Sequence, residues 1–309
     1  QEGAVILGGN RRGVVLSKTG GCYRVRVGDE GLEATLRGRF KLRHKGPVLV
    51  GDRVQMHEHG DGSTTIEEIL PRTSLLRRRA PGKSRGVRNL AANIHKIVVV
   101  GAVRQPDWEP SLMDRFLAIA EVNHLPATLV VNKCDLDSDP GRFAEAYGLA
   151  GYLVVLTSVP EQRGLDELRS ELEGHISLFT GPTGVGKSSL LNALQPGLRL
   201  RTGDVSRKGG SGRHTTVAAE MFPFGQDGFV VDTPGLRDVG LWGLDPQEVS
   251  AAFPEFTALS TNCRFDDCRH LEEPGCAVVE AVAKGEVAES RHRSYCRLLD
   301  ESVDAARHR

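Results

Sequence analysis

Residues 181–189 read Gly-Pro-Thr-Gly-Val-Gly-Lys-Ser-Ser, with an apolar run at 176–179 before them and Leu190, Leu191, Ala193 and Leu194 after them. A strand, a glycine-rich turn and a helix start in that order constrain the chain more than any other feature. They commit it to the G-x-x-x-x-G-K-[ST] phosphate cradle, and so to an α/β sheet. Gly181, Gly184 and Gly186 let the backbone wrap closely around phosphate oxygens. The N–H groups opening the helix point into that wrap, with the positive end of the helix dipole behind them. Pro182, Thr183 and Val185 complete the loop, and Ser189 continues the first helical turn. Lys187 would reach the β- and γ-phosphates, and the Ser188 hydroxyl would hold Mg²⁺.

The surroundings agree with the motif. Strand candidates at 97–100, 128–131, 152–156, 176–179, 218–222 and 229–231 alternate with helices capped by Ser111 or spanning 164–172 and 186–194. This alternation predicts a mostly parallel sheet covered on both faces, in a central domain at 93–240. Loops at the carboxyl ends of its strands carry the remaining signals. In Asn132-Lys133-Cys134-Asp135, the Asp135 carboxylate can accept both the N1–H and the 2-amino protons of guanine, a donor pair that adenine lacks. The Lys133 stem can lie over the base, Asn132 can pin the loop, and Ser158 sits where a main-chain N–H could bond guanine O6. Asp232-Thr233-Pro234-Gly235 would place Asp232 near Mg²⁺ and the Gly235 N–H at the γ-phosphate. On successive strand ends, these tetrapeptides point to guanine nucleotide rather than ATP.

The order of the motifs is unusual. Ordinary GTPases run from the P-loop to N-K-x-D, whereas here Asn132, Asp135 and Ser158 precede Gly181. The sheet is expected to be circularly permuted, a change that domains tolerate because their termini often lie close together. The segment after Asp232 then leads directly into a C-terminal domain. In this order of motifs the sequence resembles the circularly permuted bacterial GTPases of the ribosome small-subunit-dependent GTPase A family, over essentially its full length. The resemblance implies an N-terminal OB domain, GTP hydrolysis stimulated by the small ribosomal subunit during its late maturation, binding to 16S rRNA, and a C-terminal zinc domain.

Many GTPases align the attacking water with a Gln just after D-x-x-G, but here that position is Leu236, which has no hydrogen-bonding side chain. The segment Gly209-Gly210-Ser211-Gly212-Arg213-His214-Thr215-Thr216 resembles the family's switch I. That resemblance implies His214 as the residue that orients or deprotonates water, and Thr216 as a further Mg²⁺ ligand. A His214 that only docks on RNA or packs the switch is the alternative.

Before residue 90 the apolar period is two. Five strands, at 14–16, 23–27, 32–42, 48–56 and 64–69, are punctuated by Gly-rich turns and predict a small OB-like barrel over 1–72. The whole chain is neutral, yet residues 1–90 hold 18 Lys/Arg against 9 Asp/Glu. Arg37, Arg39, Lys41 and Arg43 would share one strand face, and Arg24 and Arg26 would repeat the pattern on a neighbour. Such a stripe suits a phosphate backbone, or is an ordinary solvated face. Residues 73–92 read as a flexible basic connector that could order on RNA.

At the other end, Cys263-x₄-Cys268-x-His270-x₅-Cys276 offers three thiols and an imidazole in a polar segment of a C-terminal domain at 241–309. Four ligands fill a tetrahedral Zn²⁺ and leave no open position, so the metal would be structural. So few apolar residues surround the cluster that the metal is expected to supply much of that domain's folding free energy. Helices are predicted at 249–256 and 289–304, and Arg291, Arg293 and Arg297 on the second would touch RNA or be solvated. No apolar run approaches the roughly 20 residues that cross a bilayer, and the chain reads as a cytoplasmic monomer without a membrane partner. A GTP-controlled checkpoint switch whose hydrolysis only triggers release is a second reading. A GTPase serving an RNA-modifying enzyme is a third.

Overall fold

Alternation of apolar and polar residues near the N-terminus folds as that period requires. The computed structural model describes residues 9–36, 46–79, 87–198, 219–232, 244 and 246–307. In it, β1 (Asn10–Thr19), β2 (Cys22–Val27), β3 (Glu30–Leu36), β4 (Arg53–Glu58) and β5 (Thr64–Ile69) close into a barrel in the order β1-β2-β3-β5-β4. Val15, Tyr23, Val25, Ala34, Val54, Met56 and Ile66 fill it. The strand expected from residue 48 begins only at Arg53. Gly51, at φ +88°, and the Asp52 carboxylate, which accepts the Leu49 N–H at 2.7 Å, make a turn first. Arg37, Arg39, Lys41 and Arg43 lie outside the described residues.

The expected flexible connector is partly a folded ribbon. β6 (Leu75–Arg79) and β7 (Val87–Ala92) pair antiparallel. The reason is burial: Leu76, Ala91 and Ala92 are completely enclosed. Leu76 and Ala91 join a cluster containing Leu16 and Val50 of the barrel and Ile97, Val99, Met113, Phe116, Met221 and Val231 beyond it. Polar groups fasten the same junction. The Arg72 guanidinium donates to both oxygens of the buried Asp52 at 2.7 and 2.8 Å. The buried Asn93 side chain accepts the Thr73 N–H and donates to the Gly51 carbonyl, each at 2.8 Å.

The central sheet contains β8 (Lys96–Ala102), β9 (Ala127–Asn132), β10 (Leu153–Leu156), β11 (Ile176–Thr180), β12 (Glu220–Phe224) and β13 (Gly228–Asp232), in the order β10-β9-β8-β11-β13-β12. Only β12 runs antiparallel, at the edge. Along β8, Ile97 and Val99 face the cluster just described, on the side of α1 (Pro110–Val122) and α2 (Arg142–Leu149). Val98 and Val100 face α3 (Leu165–Leu172) and α4 (Lys187–Leu194). Both faces are thus covered, and the parallel strands read as continuous apolar runs. The expected cap at Ser111 is corrected: α1 starts two residues earlier than that cap implies, at Pro110, whose fixed φ and missing N–H suit a first helical turn, and the N-cap is Glu109.

The helix expected over 249–256 is two, α5 (Pro246–Ala251) and α6 (Pro254–Ser260), because Pro254 biases Phe253 away from helical geometry. After α7 (Ala277–Ala283), α8 (Glu289–Arg307) packs on them and on α1. Two expectations fail here. Val249, Phe253, Phe256, Val278, Tyr295, Leu298 and Leu299 form a real apolar core that also takes in Ala118 of α1, so the domain does not lack one. Arg291 is not solvated but 1% exposed, bonded to Asp114 of α1 at 2.7 Å and doubly to Glu255 at 2.8 and 3.0 Å, with Phe253 4.5 Å beneath it.

Candidate functional site

The phosphate loop leaves β11 between β8 and β13, so its neighbours are the carboxyl ends of those strands. Gly181 has φ +135°, and a Cβ there would stand 2.1 Å from the Val100 carbonyl oxygen, so only glycine fits. Gly186, at φ +98°, caps α4. Lys187 Nζ donates to the carbonyls of Gly181 and Pro182 at 2.7 and 2.6 Å, across the first turn of the loop. Thr183 and Gly184 are exposed, whereas Val185 is buried. Ser188 and Ser189 lie in the first turn of α4, and Asp232 ends β13 beside Phe179, on the same sheet edge.

The N-K-x-D loop meets the phosphate loop directly. Asn132, 2% exposed at the end of β9, donates from Nδ2 to the Val185 carbonyl at 2.8 Å and accepts at Oδ1 from the Thr157 hydroxyl at 3.0 Å. One side chain therefore ties the ends of β9 and β10 to the phosphate loop. Lys133, at φ +61°, donates to the Gly184 carbonyl at 2.7 Å and to the Gln105 carbonyl. Its ammonium pKa is lowered, chiefly by desolvation, with Asp135 pulling the other way. Cys134 is buried, its thiol against the Val131 carbonyl at 3.2 Å. The Ser158 hydroxyl donates to Asp135 Oδ1 at 2.6 Å, which holds that carboxylate in one orientation.

One geometric expectation is corrected. The Ser158 N–H is not free for a base carbonyl, because it donates to the Arg163 carbonyl at 3.1 Å in a short bridge that the Arg163 N–H returns at 3.0 Å. The Ser158 side chain, rather than its amide, faces the base loop. The parts of the site that the sequence reading missed are Thr157, Gln105 and Arg163. Thr157 was the legible one, a hydroxyl beside Ser158 at a strand end. The Gln105 and Arg163 contributions are main-chain and carry no residue signature. His214, Thr216, Gly235 and Leu236 lie outside the described residues.

The ligand atoms of Cys263, Cys268, His270 and Cys276 all lie within 4.8 Å of one another, although nothing links them covalently. Zn–S bonds of about 2.3 Å place tetrahedral ligands about 3.8 Å apart. The His270 Nδ1 separations of 3.6 Å from Cys263 Sγ and 3.5 Å from Cys276 Sγ fit that spacing. Burial lowers the His270 pKa, which keeps the ring neutral and able to ligate. Burial, then neighbouring thiols, pushes Cys268 up to about 12, so a thiolate there needs a cation. The loop is braced from outside. Glu273 accepts the N–H groups of Arg269 and Leu271 at 3.0 and 2.8 Å, and a His292 ring nitrogen lies 2.7 Å from the His270 carbonyl.

The two described cations of the basic stripe differ. Arg24 is exposed on β2. Arg26 donates to the Gly28 carbonyl at 2.7 Å, pairs with Asp29 at 3.2 Å and lies 5.5 Å over the Phe229 ring, at the seam between barrel and sheet.

Comparison with known proteins matches this arrangement. The family described as RsgA GTPase fits residues 69–242, and the RsgA N-terminal domain fits residues 12–66. The Small ribosomal subunit biogenesis GTPase RsgA of Gemmatimonas aurantiaca is 48% identical over 297 residues, covering 94% of this chain and 96% of that protein. Its namesake from Moorella thermoacetica is 41% identical over 292 residues, covering 94% and 97%. Among solved structures, YjeQ from Thermotoga maritima superposes with a TM-score of 0.80 at 36% identity, covering 95% of this chain and 99% of that one. YloQ, a circularly permuted GTPase, gives 0.76 at 29% identity, covering 98% of each.

Proposed function

We propose, because this chain belongs to the RsgA GTPase family, that it hydrolyses GTP on the small ribosomal subunit during late maturation and contacts 16S rRNA there. The observation that carries the reading is Asn132, whose one amide joins the phosphate loop at Val185 to the base loop and to Thr157. The phosphate cradle and the loop that carries Asp135 are thereby held side by side, and Asp135 would read guanine there.

At that site Asp135 would accept the two guanine donors, with Ser158 orienting it. Guanine O6 would fall to a main-chain N–H beyond Ser158. Lys187 would lie against the β- and γ-phosphates, and the Gly235 N–H against the γ-phosphate. Ser188, Thr216 and Asp232 would hold Mg²⁺, which neutralises charge developing on the transferred phosphoryl group. His214 would align or deprotonate the attacking water, since Leu236 cannot. Cys263, Cys268, His270 and Cys276 would hold one structural Zn²⁺. Arg24, with Arg37, Arg39, Lys41 and Arg43, would meet the RNA backbone, whereas Arg26 is engaged at the domain seam. The chain would act as a cytoplasmic monomer.

Turnover of GTP and of ATP, each with and without purified small subunits, tests the proposal. GTP hydrolysis that rises severalfold with subunits, beside negligible ATP hydrolysis, is the expected result. Equal use of ATP would refute the guanine assignment, and indifference to subunits would refute the ribosomal one.

A further inference from the structure

Asp137 follows the 3₁₀ turn Cys134–Leu136, two residues beyond Asp135, and its side chain is 3% exposed. Its Oδ2 accepts from Arg104 Nη2 at 3.2 Å and from Arg142 Nη2 at 2.8 Å, while Oδ1 accepts the Asp139 N–H at 3.0 Å. Ion pairs between two exposed side chains contribute little. Here the carboxylate is buried and its two guanidinium contacts are charge-assisted, so it is a point to which the more exposed arginines are tied.

Those arginines belong to different segments. Arg142 opens α2, and Arg104 lies in the loop between β8 and α1. The same loop provides the Gln105 carbonyl that accepts from Lys133, and it is anchored by Trp108, whose ring lies 5.5 Å from Phe143 and 5.8 Å from Tyr147. The base loop is therefore held at both ends, by Asn132 where the chain enters it and by Asp137 where the chain leaves. Between these anchors, Lys133 keeps a left-handed backbone that a non-glycine residue holds only when its flanks are fixed. Asp135 lies between them too.

We infer that Asp137, clasped by Arg104 and Arg142, is a positioning residue that aims the Asp135 carboxylate at the guanine base, a role that rests on the guanine-nucleotide reading of the site. Hydrogen bonds weaken steeply with misalignment. Loosening the clasp should therefore cost most where two donors must be met at once, at guanine N1–H and the 2-amino group. A base lacking the 2-amino group should notice less.

The test uses the full chain and compares GDP with IDP, whose hypoxanthine has no 2-amino group, by equilibrium binding. In Asp137→Asn, GDP affinity is expected to fall about tenfold, equivalent to about 1.4 kcal/mol, while IDP affinity falls by less than about threefold, so the GDP preference shrinks. Arg104→Gln, at a side chain 54% exposed and so tolerated by the fold, should shift the preference the same way by a smaller factor, with an unchanged melting temperature. Asp137→Glu, which keeps the charge, should recover part of it. General destabilisation would weaken both nucleotides alike. An unchanged GDP-to-IDP ratio in Asp137→Asn and Arg104→Gln, with wild type still preferring GDP to ADP, overturns the role of Asp137 alone. A wild type that does not prefer GDP to ADP overturns the guanine reading and this role together.

Discussion

His95, just before β8, shows how much one side chain can depend on its protonation state. The Ile176 N–H donates to His95 Nδ1 at 3.1 Å, so that nitrogen has to be unprotonated. The rings of His95 and His175 meet edge-on at 5.9 Å. Desolvation first, then the charges of His175 and Arg53, hold the His95 pKa below its ordinary value. A base with a lowered folded pKa binds fewer protons than it does in the unfolded chain. Stability is therefore present above the unfolded value of about 6.5 and is lost as the pH falls through it toward the folded one. His95→Gln, which still offers an acceptor to Ile176, is expected to lose less melting temperature than wild type between about pH 7.5 and about pH 5.5. Parallel losses would show that His95 does not contribute. At this scale the sequence was legible for Asn132, which pins the base loop to the phosphate loop as its residue type and position suggest. It misled at Ser158, whose N–H is spent on Arg163, because a main-chain partner five residues away leaves no mark on composition.

Among the elements, α8 departs furthest from what its sequence suggested. Its apolar face was visible as Tyr295, Leu298 and Leu299, but Arg291 read as an RNA-contact or solvated residue and is instead the buried tie between α8, α6 and α1. A buried arginine is stable only with its charge paired and its donors satisfied, and Asp114 and Glu255, 177 and 36 residues away, meet that need. A metal at the Cys263–Cys276 cluster would consequently hold a loop rather than the whole C-terminal domain. Removing the metal with a chelator is expected to open residues 262–276 to protease while far-UV circular dichroism falls only slightly, because α6 and α8 keep their apolar core and the Arg291 tie. A large loss of helical signal on chelation would show that the core described here cannot stand without metal. The broken helix at Pro254 and the start of α1 at Pro110 were readable from proline rules, had those been weighed above periodicity.

At the scale of the whole molecule, the barrel and the sheet are not beads on a string. Leu16 and Val50 of the barrel, Leu76 and Ala91 of the ribbon, and Ile97 and Met221 of the sheet belong to one cluster of buried residues. Leu76→Ala, at a fully enclosed site, is expected to cost about 2–5 kcal/mol. Because the cluster is shared, barrel and sheet should lose stability together in one denaturant transition followed by tryptophan fluorescence and far-UV circular dichroism. Two separated transitions would mean that the seam contributes little. By itself the sequence determined the glycine-rich and N-K-x-D loops at strand ends, their permuted order, and the four-residue Cys/His cluster, since glycine conformations, strand period and ligand spacing act over short stretches. Only the tertiary structure decided that Arg26 meets Phe229 at the seam, that Arg291 is buried, that the basic connector is partly a ribbon, and that Asp137 is clasped by Arg104 and Arg142. Each of those depends on partners far along the chain, and the burial that sets the energy of a charge exists only once those partners have met.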